Sequence, residues 1–274
     1  MFENVQTFEE EFGSKIKLPS EIIKFRNLLG IAYDFRFNKE FQRNNQRIRE
    51  YHNIHQNKRC FIIGTGPSLN RTKFNIIKDE ILIGVNTLYR GIEKFKIYPQ
   101  YWVVVDGKLF EVHYEKLLTL NSNKTTLFLA EHAGQRYLRK EKYYQNISSI
   151  NPIVIKHLGS MNIWDKFSKD ITEGIYSGAT VIIQAIQIAY YLGFSDVYLL
   201  GCDSDYSGKH RFDGLKAENE NKSVKYLADY HWEYIFSAYE RCKRAFEEDG
   251  RKIYNATVGG KLEVFERKSL NEIM

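Results

Sequence analysis

Short, unbroken apolar runs recur along this chain, with helical spacing in many of the gaps between them. That alternation constrains the fold more than any other feature. Seven segments read as strands: Phe61-Ile62-Ile63, Ile81 to Asn86, Tyr101 to Asp106, Thr125 to Ala130, Ile153-Val154-Ile155, Val197 to Gly201 and Lys252 to Asn255. Strands that lack polar alternation are covered on both faces, and strands separated by helices pair in parallel. The expectation is an α/β fold: a mostly parallel, Rossmann-like sheet with helices on both faces.

Residues 1–57 read differently. Ile22, Ile23, Phe25, Leu28 and Leu29, then Tyr33, Phe35, Phe37 and Phe41, recur at helical spacing among charges of both signs. One or two amphipathic helices are expected there. Packing on the core is the role that pattern favours, ahead of an oligomer contact or contact with a membrane surface. The expected organisation is therefore an N-terminal helical extension over 1–57 and an α/β catalytic domain over 58–274.

Composition excludes several classes. A chain of 274 residues with 43% hydrophobic content can bury a large core. No apolar run reaches the roughly 18–20 residues a membrane span needs. Met1-Phe2-Glu3-Asn4 lacks a basic segment before an apolar core, so no secretory leader is expected. Three scattered cysteines, Cys60, Cys202 and Cys242, suggest neither a zinc site nor a disulfide framework, and point to a reducing cytoplasm. His52, His55, His113, His132 and His157 show no metal-ligand spacing. A net charge of +6 suits a protein that handles phosphates or sits near anionic lipid. No nucleic-acid motif appears.

The strand ends carry the candidate site. In an open parallel sheet, ligands bind outside the carboxyl ends of the strands. Asn86, Asp106 and Asp203 fall at such ends, although Asn and Asp also favour turns in general. Gly64-Thr65-Gly66-Pro67-Ser68 follows the first strand and precedes an expected helix over Arg71 to Lys78. Glycines there allow close backbone approach, and a helix start with free N–H groups suits a phosphate. The loop lacks the Gly-Lys-Ser/Thr element of a P-loop and the third glycine of the dinucleotide fingerprint. Ser177-Gly178 precedes an apolar helix from Val181 to Leu192, with Ser177 expected as its N-cap. A last helix is expected from Ser223 to Glu248. His231 falls on its apolar stripe with Val224, Leu227, Ala228, Ile235, Ala238 and Cys242, and so faces the domain.

Three segments together resemble a known group. Ile62 to Leu69, Ser177-Gly178 with its helix, and Leu192 to Asp203 look like the bacterial sialyltransferases, the family-42 glycosyltransferases. They are similar at least as much to a related group, the hydroxymethylpterin diphosphokinases and the motility-factor glycosyltransferases. Tyr254-Asn255-Ala256-Thr257, with Gly259-Gly260, is similar to that second group. The resemblance runs from about Cys60 to Leu270. It implies a single-domain, GT-A-like transferase. Gly64, Thr65, Gly66, Pro67 and Ser68, Asn86, Asp106, Ser177, Gly178 and Asp203 would hold a nucleotide. Tyr206 and His210, with Lys209 nearby, would meet the leaving phosphate, and His231 would be the general base. Thr65 and Asp106 each stand where the sialyltransferases carry asparagine.

Three readings follow. The first is an inverting, metal-independent glycosyltransferase without a cofactor. It would move an acidic, sialic acid-like or Kdo-like sugar from a CMP-activated donor to a cell-surface glycan or lipid-linked acceptor. A homo-oligomer is expected, and the extension leaves room for peripheral association with the cytoplasmic membrane. The second is a diphosphokinase acting on a pterin-like alcohol, with ATP and magnesium held by Asp106 and Asp203. The third is a non-catalytic nucleotide-binding scaffold.

Overall fold

The computed structural model describes residues 39–122, 125–130, 153–155, 158, 166–178, 180–205, 211–215 and 232–274. The chain divides into two compact units, Met1–Phe41 and Gln42–Met274. The expected helices over residues 19–38 lie outside the described residues, and residues 42–57 fall within the second unit.

Eight strands form one sheet: β1 (Arg59–Ile63), β2 (Leu82–Val85), β3 (Tyr101–Val104), β4 (Thr126–Ala130), β5 (Ile153–Ile155), β6 (Asp196–Leu200), β7 (Lys252–Asn255) and β8 (Glu266–Arg267). Their order is β5-β4-β3-β2-β1-β6-β7-β8. Every pairing is parallel. The described helices are α1 (Lys39–Arg49), α2 (Ile92–Phe95), α3 (Gly107–Ser122), α4 (Val181–Tyr191), α5 (Trp232–Glu247) and α6 (Leu270–Ile273). The doubly covered α/β architecture expected from the apolar runs is the one observed.

Side-chain alternation within the strands builds two cores. Cys60, Ile62, Val103, Phe128, Val197 and Leu199 point to one face. α4 covers that face with Ile182, Ile183, Ile186 and Ala189, and α5 covers it with Ile235, Ala238, Cys242 and Phe246. Phe61, Ile63, Trp102, Val104, Leu127 and Leu200 point to the other, beneath Phe110 and Leu117 of α3 and Leu270 of α6. β8 adds to the seven expected strands. It is only two residues long, both exposed and charged, so it carries no apolar signal.

The chain lays down β1 to β5 on one side, then returns across the sheet to place β6 against the free edge of β1. Strand order therefore reverses between β1 and β6, and such a reversal opens a crevice at the strands' carboxyl ends. A short turn joins α4 to β6, so α4 runs back along the sheet and starts at that same end.

Residues before β1 are tied to the sheet. Ile48 is buried, Asn53 N–H donates to the Tyr191 carbonyl, and His55 N–H donates to the Leu192 carbonyl. The His55 ring stacks on Phe194 at 4.7 Å, and its Nε2 lies 2.6 Å from the Tyr101 hydroxyl. Its buried Nδ1 has no partner among the described residues. Burial, and then the Lys58 charge, hold the His55 pKa below its usual 6.5. The unfolded chain therefore takes a proton first on acidification. The stabilisation is complete above the unfolded value and is lost as pH falls through the folded one. Urea midpoints measured from about pH 8 down to about pH 5 should fall more steeply for the wild type than for His55→Phe, which keeps the stack and cannot titrate. Parallel slopes would remove His55 from the acid response.

Candidate functional site

The crevice is built on two loops that lock into each other. Gly64 N–H donates to the Leu200 carbonyl at 2.8 Å, and Gly66 N–H donates to the Gly201 carbonyl at 2.9 Å. Ser68 donates twice to Asp203, from its N–H at 3.1 Å and from its hydroxyl at 2.7 Å. Ser68 is fully buried and Asp203 is 8% exposed. Burial lifts the Asp203 pKa above the usual carboxylate value, against the pull of the two Ser68 bonds. Gly201 turns the β6 loop with φ of +65°, where a side chain would be strained. Gly66 has an ordinary φ of −67° and is needed for space instead. A Cβ there would stand 1.8 Å from Asp203 Oδ2 and 2.6 Å from the Gly201 carbonyl oxygen.

This geometry changes several readings. The segment after Gly66 is not a helix over Arg71 to Lys78 but two 3-10 turns, Pro67–Arg71 and Phe74–Ile76. The N–H groups expected to face a phosphate are largely spent inside the protein, on carbonyls and on Asp203. Asp203 acts as the internal anion of the loop, because a buried Ser68 needs an acceptor for both of its donors. Asp106, at the end of β3, is a helix cap: its Oδ1 accepts the N–H groups of Lys108 at 2.8 Å and Leu109 at 3.0 Å. The N-cap of α4 is Thr180 rather than Ser177. The helix itself starts at Val181 as expected, and buried Gln187 explains why Ser177 is not its cap. It receives the Tyr176 N–H and donates to the Tyr176 carbonyl, which holds the preceding chain out of the helix. Ser177 stays half-buried and Gly178 buried just ahead of that start.

Asn86 is the polar group best placed to meet a ligand. It follows β2 with φ of +45°, a left-handed position that asparagine tolerates. Trp102 Nε1 donates to its carbonyl at 2.9 Å. Its buried Oδ1 has no partner among the described residues.

Residues 211–215 form a third wall that sequence reasoning did not assign. Phe212 N–H donates to the Thr65 carbonyl at 2.9 Å, and Asn70 Nδ2 donates to the Phe212 carbonyl at 2.8 Å. Arg211 donates to the Thr87 hydroxyl and pairs with Asp213 at 3.1 Å. Arg90 reaches the same Asp213 carboxylate at 3.3 Å. Only the basic Lys209-His210-Arg211 run hinted at this wall. A separate cleft of ≈ 340 Å³ beside β7 and β8 is lined by Arg71, Lys73, Arg267 and Lys268. There Arg267 clasps Glu263 and the carbonyls of Thr257, Gly259 and Gly260. Tyr206, His210 and His231 lie outside the described residues.

The Ser68–Asp203 lock can be tested by a double-mutant cycle. Asp203→Ala strands two buried donors and should cost about 3 kcal/mol or more in urea unfolding. Gly66→Ala should cost about 1–3 kcal/mol by crowding the carboxylate. Because both act on one contact, the double variant should lose less than the sum by more than about 0.5 kcal/mol. Strict additivity would count against the lock.

The family model described as 6-hydroxymethylpterin diphosphokinase MptE-like matches residues 35–209, well over half of the chain. No curated protein matches the chain. Among solved structures, the sialyltransferase CstII from Campylobacter jejuni, in complex with a substrate analogue, cytidine-5'-monophosphate, is similar at 17% identity. The match covers 77% of this chain and 85% of that one, with a TM-score of 0.48. With the switch-point loop, the reversed strand order and more than half of its length matched by one model, the chain belongs to the 6-hydroxymethylpterin diphosphokinase MptE-like family.

Proposed function

We propose that the chain is a glycosyltransferase that takes a nucleotide-activated acidic sugar, CMP-linked, in the crevice at the carboxyl ends of β1, β2 and β6. The observation that carries this reading is the buried, unpartnered Asn86 Oδ1 at the carboxyl end of β2, the strand paired with β1 and its Gly64–Ser68 loop. A sugar hydroxyl or a base amino group supplies the donor that such an acceptor lacks. In the chemistry implied by the motif resemblance, His231 takes the proton of an acceptor hydroxyl. The oxygen attacks the anomeric carbon, the bond to phosphate breaks, CMP leaves, and the configuration inverts. Tyr206 and His210 donate to the departing phosphate. The acceptor is a cell-surface glycan or its lipid-linked precursor, met in the cytoplasm or at the inner face of the membrane. None of the helices among the described residues is long and apolar enough to cross a membrane.

The family's description favours a second reading, an ATP-dependent diphosphokinase acting on a pterin-like alcohol. Its magnesium would draw on carboxylate oxygens. Asp203 uses both of its oxygens on Ser68, and Asp106 uses Oδ1 on two N–H groups. Asp203 is thus engaged inside the protein and Asp106 caps α3, which favours the transferase.

Nucleotide-induced thermal shifts separate the readings. CMP should raise Tm in excess EDTA, with a stabilisation of about 2.7 kcal/mol at a hundredfold excess over Kd. A shift seen only with ATP and magnesium would move the assignment to the kinase. No shift with any nucleotide would count against both enzyme readings. His231→Ala should lower transfer by about 10²–10⁴-fold and leave CMP binding intact. Undiminished transfer would sink the base assignment.

A further inference from the structure

The 211–213 wall holds a group that the folded chain leaves unsatisfied. The Arg211 side chain is 10% exposed, and its buried Nε has no hydrogen-bond partner among the described residues. One end of the guanidinium is held: Nη2 donates to the Thr87 hydroxyl and meets Asp213 at 3.1 Å. Asp213 also receives Arg90 at 3.3 Å, so one carboxylate faces two guanidinium groups. A buried donor without an acceptor is costly. Thr87 follows Asn86, whose Oδ1 is the other orphaned atom of the crevice. An unfilled donor on a cation and an unfilled acceptor thus flank one residue.

That pairing matches a phosphate ester next to a hydroxyl or amino group. We propose that Arg211 is an anion anchor: its Nε–H binds a phosphate oxygen of the nucleotide substrate while Asn86 accepts from the adjoining sugar or base. The assignment rests on the nucleotide reading above for its ligand, and on Arg211 itself for its chemistry. Guanidinium suits the task because it stays charged and presents its donors in a fixed plane. Asp213 and Thr87 hold that plane in place before any ligand arrives. The Phe212 backbone bonds to Thr65 and Asn70 keep the anchor at the edge of the Gly64–Ser68 loop.

The direct test follows the Nε–H resonance of Arg211 in the full-length wild-type chain by ¹H–¹⁵N NMR, with Arg211→Lys used to assign it. Inorganic pyrophosphate and CMP should each shift it in a saturable manner, and cytidine should not. In parallel, CMP affinity should fall at least tenfold in Arg211→Gln and partially recover in Arg211→Lys. Lys73→Gln, in the cleft beside β7 and β8, should leave it unchanged. An Nε–H resonance that moves with neither pyrophosphate nor CMP overturns the proposal, whether or not the variants fold. An equal loss in Lys73→Gln overturns it too, because net charge would then drive the binding. If pyrophosphate moves the resonance and no nucleotide binds, the nucleotide-sugar reading fails and the anion anchor stands. If CMP binds and the resonance stays still, the anchor fails and that reading stands.

Discussion

The contact between Ser68 and Asp203 is the constraint on which the crevice depends. The loop after β1 and the loop after β6 belong to strands laid down far apart in the chain, and only their parallel pairing makes them neighbours. Two hydrogen bonds to one buried carboxylate then fix the first loop against the second. Gly66 is there because no side chain fits between that carboxylate and the Gly201 carbonyl. The pinned 3-10 turn carries Asn70, which holds the Phe212 carbonyl, so the third wall inherits its position from the same lock. An internal carboxylate at the start of a turn does for the loop what a bound anion does in a phosphate-binding loop. Among the described residues, Asn86 Oδ1 and Arg211 Nε are the buried polar atoms beside these loops left without a partner.

Much of the sheet was legible because its cause is local. Runs such as Phe61-Ile62-Ile63 and Trp102-Val103-Val104 are apolar at every position since helices or turns cover both faces, and that pattern is visible in one dimension. β8 was not legible, because Glu266-Arg267 joins the sheet through backbone pairing with β7 and buries nothing. The start of α4 at Val181 was legible, but its cap was misassigned for a different reason. Ser177 and Thr180 are both competent caps, and Gln187, one helical face away, decides between them by holding the backbone of Tyr176.

The candidate site divides along the same line. The Gly64–Ser68 loop and Asn86 could be named from their places after strands. The tasks of Asp203 and Asp106 could not, because an acid at a strand end looks the same whether it faces a ligand or caps a backbone. Only the distant Ser68, or the three-dimensional start of α3, distinguishes the two. Arg211 was overlooked because a single arginine beside Lys209 and His210 reads as surface charge. Its burial comes from Asp213 and Thr87, and Thr87 is 124 residues away.

The separation of Ser68 from Asp203 also has a consequence in time. The two residues are 135 positions apart. At ribosomal speeds of about 5–20 residues per second, the loop after β1 waits on the order of ten seconds for its carboxylate to be made. During that interval β1 already has β2 as a neighbour, but its other edge stays open until β6 arrives. The strand that carries the Gly64–Ser68 loop therefore keeps one edge open to wrong pairing on a nascent chain. The crevice is among the last features of the molecule to assemble, when the sheet is nearly complete.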